Sequence, residues 1–306
     1  MTKKTGVVVM AYGTPGSTEE VEPYYTKIRH GHPPTPELLA DLVRRYDAIG
    51  GISPLSELTA AQVAGIARTL ETEHPDTYQV AFGAKYTSPS VEDGVAALSG
   101  STRIIGLVLT PHQASLGSEQ YHERARAEAE RHGATYVPVT HFYDLESFAQ
   151  IQATRLQTAL GKLPASANGS TMVAFTAHSL PEKVLELGDP YPSQVAESGA
   201  MIAKAAGISD FLIAWQSAGR TRDPWIGPSI LEILPALHEG GTTNLVVCPV
   251  GFVSDHLEVL YDLDIEADAA ANELGLHLSR TASLNADQDF LHVLVEAIVR
   301  ADATSD

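Results

Sequence analysis

Short apolar runs alternate with longer amphipathic segments along most of the chain. Seven apolar runs have the length of a buried strand, and they lie at residues 7–11, 79–82, 104–110, 136–139, 172–176, 211–215 and 245–249. Segments with apolar side chains at helical spacing separate or follow these runs, at residues 36–46, 59–71, 91–98, 118–132, 146–160, 193–206, 229–237 and 287–300. Because such alternation is typical of parallel sheets with helices on both faces, the pattern predicts an α/β fold.

Two similar motifs divide the chain into halves. The stretches "VVVMAYGTP" and "MVAFTAHSLP" each join an apolar strand to Ala, a polar ring, small or medium residues and Pro, and they place Tyr12 and His178 in the same slot. We therefore expect two Rossmann-like lobes, at residues 1–160 and 171–306, with residues 161–170 as a linker and the last helix able to pack back on the first lobe. Ligands bind beyond the carboxyl ends of such strands, so the two rings would face one cleft.

Composition limits the class of protein. With 44% hydrophobic residues among 306, the chain can bury a large core, but its apolar runs are strand-sized and its first residues, "MTKKTG", lack the apolar stretch of a signal peptide. We expect a cytoplasmic protein that does not bind membranes. The net charge of −18 argues against a general nucleic-acid surface.

Cysteine chemistry is also restricted. Cys248 is the single cysteine and lies inside the strand-like run "LVVCPV". One cysteine excludes a disulfide, a cysteine-based zinc finger and an iron–sulfur cluster within one chain.

A row of acidic residues is the main candidate for chemistry. The stretch "DHLEVLYDLDIEAD", residues 255–268, carries six carboxylates, and there is no Lys or Arg between Arg222 and Arg280. On a helix Glu258, Asp262 and Glu266 share one face, where like charges repel. The row is either a solvated acidic face or a set of oxygen ligands that handles a cation.

Several motifs together resemble those of ferrochelatases. In chain order they are "VVMAYGTP", "YYTKIRHGHPP", "RRYDAIGGISPL", "FTAHSLPEK", "GDPYPSQ", "AWQSAGRTRDPWIGP" and "PVGFVSDHLEVLYDLDIE". The chain is more closely similar to the soluble bacterial branch, which inserts Fe²⁺ into coproporphyrin III in haem biosynthesis. The resemblance implies the chelatase fold with the tetrapyrrole between the lobes. It also implies a monomer without an organic cofactor, and transient contact with another haem-pathway enzyme is a further possibility.

The resemblance assigns roles to residues of both motifs. It implies that His178 and Glu258 bind Fe²⁺ and remove pyrrole protons, and that Tyr12 contacts the metal centre from the opposite wall. A neutral imidazole accepts a proton near neutral pH, which fits a base at His178. Asp262 and Glu266 would extend the acidic row outward as a metal path or an outer Mg²⁺ site, helped by a π-bulge. We expect Asp264 and Asp268 to lie on a solvated helix face, and His256 to support the site or lie at the surface rather than to bind the metal.

The expected substrate needs a cationic patch. Coproporphyrin III carries four propionates, and residues 27–45 contain Lys27, Arg29, His30, His32, Arg44 and Arg45. The resemblance implies that five residues bind the substrate in addition to Tyr12: Arg29, Arg45, Tyr46, Ser53 and Tyr121. Arg45 would alternatively neighbour the outer acidic site, and Arg44 would be merely solvated.

Two alternatives remain open. A cobalt or nickel chelatase acting on sirohydrochlorin shares the fold but would place more histidines in the cleft. A two-lobed protein that only binds a metal or tetrapyrrole would retain its ligand without turnover.

Overall fold

The molecule is built on two parallel sheets of four strands each. A computed structural model describes residues 3–163 and 170–304. The first sheet has the order β2-β1-β3-β4, and its strands are β1 (Thr5–Ala11), β2 (Tyr78–Ala84), β3 (Arg103–Val108) and β4 (Thr135–Val139). The second has the order β6-β5-β7-β8, and its strands are β5 (Ser170–His178), β6 (Phe211–Gln216), β7 (Thr242–Cys248) and β8 (His277–Arg280). The predicted fold class is confirmed.

Helices connect the strands and cover the sheets. In chain order they are α1 (Val21–Ile28), α2 (Pro36–Ala48), α3 (Leu55–Glu73), α4 (Val91–Ala96), α5 (Ser118–Arg131), α6 (Glu146–Gly161), α7 (Lys183–Glu186), α8 (Tyr191–Ala206), α9 (Ile230–Glu239), α10 (Leu257–Leu260), α11 (Asp268–Glu273) and α12 (Gln288–Ala303), with a 3₁₀ turn at Thr18–Glu20 and a π-helical segment at Asp262–Ala267. Several begin at side-chain caps. Ser90 and Ser229 form capping boxes with Asp93 and Glu232, which satisfy backbone N–H groups at the starts of α4 and α9.

Both sheets reverse their strand order at the strand that comes first in sequence. β1 pairs with β2 on one side and β3 on the other, and β5 pairs in the same way with β6 and β7. The crevice outside such a reversal point is where open α/β sheets bind ligands. The residues that follow β1 and end β5 therefore lie where a ligand is expected.

Central strands and the last helix form the core. Val7, Val9, Phe175 and Val246 are inaccessible to solvent, as expected for parallel strands covered on both faces. α12 belongs by sequence to the second half, yet it packs against α3 and β4 of the first sheet. Most of the expected linker, residues 164–169, lies outside the described residues.

A buried histidine lies where the two halves meet. His112 is fully inaccessible, stacks on Tyr143 at 5.4 Å between ring centroids, and meets Tyr191 edge-on at 6.0 Å. Neither ring nitrogen has a hydrogen-bond partner within the described residues. Burial, reinforced by nearby His141, lowers the pKa of His112 to about 3. The imidazole of His112 is therefore neutral in the folded protein at neutral pH.

We predict that His112→Phe stabilises the protein selectively in acid. Between pH 6.5, the ordinary pKa, and about 3, only the unfolded state binds the proton, so wild-type stability falls as the pH falls. Phenylalanine removes that loss, which is about 2 kcal/mol at pH 5. Urea unfolding at pH 5 and pH 8 measures the difference, and an equal effect of the substitution at both pH values would contradict the assignment.

Candidate functional site

Tyr12 and His178 stand at equivalent ends of the two sheets. His178 is the last residue of β5, and Tyr12 directly follows β1. Tyr12 is 42% exposed. Desolvation, Tyr86 and the charge of Glu258 together raise the pKa of Tyr12 well above its usual value. The phenol of Tyr12 is therefore protonated at neutral pH.

His178 and Glu258 form a half-buried pair. His178 Nε2 lies 3.5 Å from Glu258 Oε1, while His178 Nδ1 donates to the Ser179 carbonyl. Tyr191 Oη donates to the main-chain oxygen of His178 at 3.1 Å. These contacts fix the ring so that Nε2 faces the carboxylate of Glu258.

The pair shifts both pKa values in opposite directions. Burial is the largest single effect and favours the neutral imidazole, but the charge of Glu258, its hydrogen bond and the contact with the Ser179 carbonyl together raise the pKa of His178 to about 9. Burial likewise favours the protonated acid, but His178, and then His256, hold the pKa of Glu258 well below its usual range. In the free chain the pair is an imidazolium facing a carboxylate.

His256 lies beside this pair and supports it. Its Nε2 lies 3.5 Å from Glu258 Oε2, and its Nδ1 contacts the Ser254 carbonyl at 3.0 Å. Glu258 is thus flanked by two imidazoles. The sequence shows that His256 lies two residues before Glu258. It does not show the extended backbone at His256 that turns the ring toward the carboxylate.

The acidic row lies on a helix that changes its hydrogen-bond pattern. After α10 the chain enters the π-helical segment Asp262–Ala267, where the Glu266 N–H donates to the Tyr261 carbonyl at 2.9 Å. The expected π-bulge is present. A π turn is wider than an α turn, so it alters the positions of Asp262 and Glu266 relative to Glu258.

Asp262 is buried and already has partners on both oxygens. Ser217 Oγ donates to Oδ2 at 2.6 Å, and Arg45 Nη1 donates to Oδ1 at 3.3 Å. Burial and the charge of Glu258 raise the pKa of Asp262 to about 6, although Ser217 and Arg45 oppose the shift. The cation that the neighbouring sequence lacks is therefore supplied from the other half of the chain. Glu266 is half-exposed and lies at the outer end.

Two of the other acidic residues of the stretch pair with Arg280. Asp264 is exposed, and its Oδ1 lies 2.5 Å from Arg280 Nε. Arg280 also bridges to Asp255 at 3.0 Å. Asp268 is partly exposed and accepts a hydrogen bond from Asn272.

Helix α2 joins the two halves across the cleft. Besides Arg45, Arg44 Nη1 donates to Tyr261 Oη at 2.7 Å, and Asp41 pairs with Arg220 at 2.9 Å. Arg44 is therefore not merely solvated. Arg29 directly follows α1, and its guanidinium lies 5.6 Å from the centre of the Tyr25 ring.

The remaining expected substrate residues lie deeper in the first half. Tyr46, Ser53 and Tyr121 are all buried, and Ser53 Oγ accepts a hydrogen bond from the Leu55 N–H at 3.3 Å. Lys85, which was not singled out from the sequence, lies 5.0 Å from the Tyr121 ring centre. Burial and nearby Arg124 lower the pKa of Lys85 to about 8.

A cavity of about 420 Å³ opens beside the outer carboxylates. Its lining includes Arg45, Ser217, Trp225, Asp262 and Glu266. Within residues 3–163 and 170–304, no group of three or more His, Cys, Asp or Glu side chains is arranged to hold a metal ion. A cation at the outer carboxylates would have to share Asp262 with Arg45 and Ser217. No helix in the described ranges is long and apolar enough to cross a membrane.

Comparison with known proteins identifies the family. The family model for ferrochelatase matches residues 4–302. The chain is 41% identical over 303 residues to the coproporphyrin III ferrochelatase of Bacillus subtilis (strain 168), with 97% of this chain and 98% of the relative covered. It is 40% identical over 301 residues to the coproporphyrin III ferrochelatase of Halalkalibacterium halodurans, with 97% and 96% covered.

A solved structure agrees at the level of the fold. SirB from Bacillus subtilis with Fe³⁺ superposes with a TM-score of 0.61 at 14% identity, covering 99% of this chain and 97% of that one. Because the family model spans nearly the whole chain and relatives share about 40% of its residues, the chain belongs to the ferrochelatase family, whose members insert a metal into a porphyrin.

Proposed function

We propose that the chain inserts Fe²⁺ into coproporphyrin III, with His178 and Glu258 on one wall of the cleft and Tyr12 on the other. The observation that carries the proposal is the pair of His178 and Glu258, 3.5 Å apart at the end of β5, while Tyr12 directly follows β1, the equivalent strand of the other sheet. The pair combines a nitrogen and an anionic oxygen ligand, which suits Fe²⁺.

The proton balance follows from the charge state of that pair. Metal insertion replaces two pyrrole protons with Fe²⁺, so two protons must leave the ring for each metal that enters. His178 carries a proton in the free chain and must lose it before its Nε2 ligates iron or accepts a proton from the ring. In the free chain Glu258 is ionised and stabilises the imidazolium of His178. His178 and Glu258 are together proposed to remove the two pyrrole protons.

The substrate is proposed from the arrangement of cations. Arg45 lies beside the cleft on α2, and Arg29 directly follows the preceding helix α1. Both guanidiniums suit the propionates of coproporphyrin III. Arg45 would exchange its contacts with Asp41 and Asp262 for a propionate. The buried hydroxyls of Tyr46, Ser53 and Tyr121 are proposed to bind the ring edge once the helices above them move.

The outer carboxylates form a second proposed site. Asp262 and Glu266 offer the hard oxygen ligands that Mg²⁺ prefers, and both line the 420 Å³ cavity. Because Arg45 and Ser217 already hold Asp262, a cation there must compete with them. We also propose that the protein acts in the cytoplasm as a monomer.

Anaerobic insertion assays test the substrate assignment. We expect Fe²⁺ to enter coproporphyrin III at least about tenfold faster than protoporphyrin IX, because each lost carboxylate removes a charge-assisted hydrogen bond. The visible absorbance of the metallated product gives both rates. Equal or reversed rates would contradict coproporphyrin as the substrate, and binding without insertion would favour a carrier protein.

One observation favours a second candidate. A sirohydrochlorin chelatase is expected to use more than one histidine, and His256 lies 3.5 Å from Glu258. Incubation with Co²⁺ and sirohydrochlorin tests this activity, which we expect to be far below iron insertion into coproporphyrin III.

A further inference from the structure

The turn that carries Tyr12 is held tightly by its neighbours. The Tyr86 N–H donates to the Tyr12 carbonyl at 3.2 Å, and the Lys85 N–H donates to the Ala11 carbonyl at 2.9 Å. The rings of Tyr12 and Tyr86 also contact each other, with centroids 4.7 Å apart. These contacts come from the residues that directly follow β2, the strand beside β1.

Gly13 gives the turn a conformation that other residues disfavour. Its φ is +87°, and a Cβ at this position would lie 2.4 Å from Thr87 Oγ1. The backbone at Gly13 is therefore constrained on one side by Thr87. Its carbonyl accepts a hydrogen bond on the other side, from Tyr24 Oη at 3.0 Å.

Tyr24 reaches this carbonyl from helix α1, eleven residues later in the chain. Burial, followed by the proximity of Tyr12 and Tyr46, raises the pKa of Tyr24 well above its usual value. The hydroxyl therefore keeps its proton and stays a donor at neutral pH. Among the described residues, no other side chain of α1 forms a hydrogen bond with Gly13.

The next residue on α1, Tyr25, contacts the residue that follows the helix. Tyr25 lies under the guanidinium of Arg29, 5.6 Å from it. One turn of α1 thus contacts both the Tyr12 turn, through Tyr24, and the cation proposed to bind a propionate, through Tyr25.

We propose that Tyr24 is a positioning residue for iron insertion: it holds the Gly13 carbonyl and so fixes the direction in which Tyr12 faces the centre of the bound ring. Helix α1 then connects capture of a substrate carboxylate at Arg29 to the placement of Tyr12. The inference rests on the proposed role of Tyr12 as the group that faces the metal.

Tyr24→Phe tests the inference, with Tyr25→Phe as a matched control that removes the adjacent hydroxyl. Loss of the Tyr24 hydrogen bond should speed amide exchange in residues 12–15 several-fold and lower kcat about fivefold with little change in KM. It should also weaken the tyrosine-to-iron charge-transfer signal of the ferric coproporphyrin complex. Tyr25→Phe should leave the exchange and the signal unchanged.

Tyr12→Phe tests separately whether Tyr12 faces the metal and whether Tyr24 positions Tyr12. If Tyr12→Phe removes the iron signal while Tyr24→Phe leaves signal, exchange and kcat as in the wild type, the role of Tyr24 is refuted and that of Tyr12 stands. If Tyr12→Phe keeps the signal, Tyr12 does not face the metal, and the role of Tyr24 falls with it. The inference is supported if Tyr24→Phe weakens the signal and speeds the exchange while Tyr25→Phe leaves both as in the wild type.

Discussion

Glu258→Gln is expected to lower the rate of iron insertion by at least about two orders of magnitude, the scale on which positioned acid–base groups act. Glutamine keeps the size and polarity of the side chain but loses its negative charge. Iron then loses an anionic oxygen ligand, and His178 loses the charge that raises its pKa. Initial rates with Fe²⁺ and coproporphyrin III, followed by absorbance, measure the effect.

Glu266→Gln is the matched control, because it makes the same chemical change at the half-exposed outer end of the row. We expect it to reduce the rate much less than Glu258→Gln does. Thermal unfolding should show that both variants fold. Wild-type turnover in folded Glu258→Gln would refute the proposed role of this carboxylate.

His178→Ala is expected to produce a loss of similar size and to change how metal capture depends on pH. Since the pKa of His178 is raised, Fe²⁺ must displace a proton from the imidazole at neutral pH. Wild-type metal affinity should therefore rise with pH, by up to about tenfold per unit below that pKa. In His178→Ala the slope should flatten.

Calorimetry in two buffers of different ionisation enthalpy counts the protons released when the metal binds. We expect about one proton from the wild type and much less from His178→Ala, because Glu258 is already ionised. His256→Ala is the control, since His256 also lies 3.5 Å from Glu258 but does not end β5. Equal proton release in wild type and His178→Ala would contradict the assignment of the proton to His178.

The same pair contributes to stability over a defined pH range. The raised pKa of His178 means that its contribution is complete below the ordinary pKa of about 6.5 and is lost as the pH rises through the raised value. The lowered pKa of Glu258 means that its contribution is complete above about 4.5 and is lost in acid. Both contributions are present between these limits.

The sequence predicted the long apolar strands but missed a short strand with few apolar residues. All seven expected strands exist, whereas β8 was missed because its four residues, "HLSR", contain one apolar side chain. Such a short edge strand is defined by its pairing with β7 rather than by its own pattern. Helix α1 was missed for a related reason, since only Val21 is buried along it.

The acidic row was predicted from the sequence, but its contact with a cation depends on the tertiary structure. Its spacing and its lack of local cations were visible in the chain, and they raised the question of what neutralises it. One answer, Arg45, lies 217 residues away from Asp262 and contacts it only because α2 crosses the cleft. A contact at such separation depends on how two lobes pack, which no local pattern contains.

By itself the sequence determined the alternating elements, the two equivalent motifs ending at Tyr12 and His178, and the family to which the chain belongs. These properties follow from local periodicity and from residue identity, which are read directly along the chain. Only the tertiary structure decided the charge of the His178 pair, the second imidazole beside Glu258, the partners of Asp262 and the contact between Tyr24 and Gly13. Each of these depends on distances of a few ångströms between separate elements, since hydrogen bonds and pKa shifts fall off steeply beyond contact.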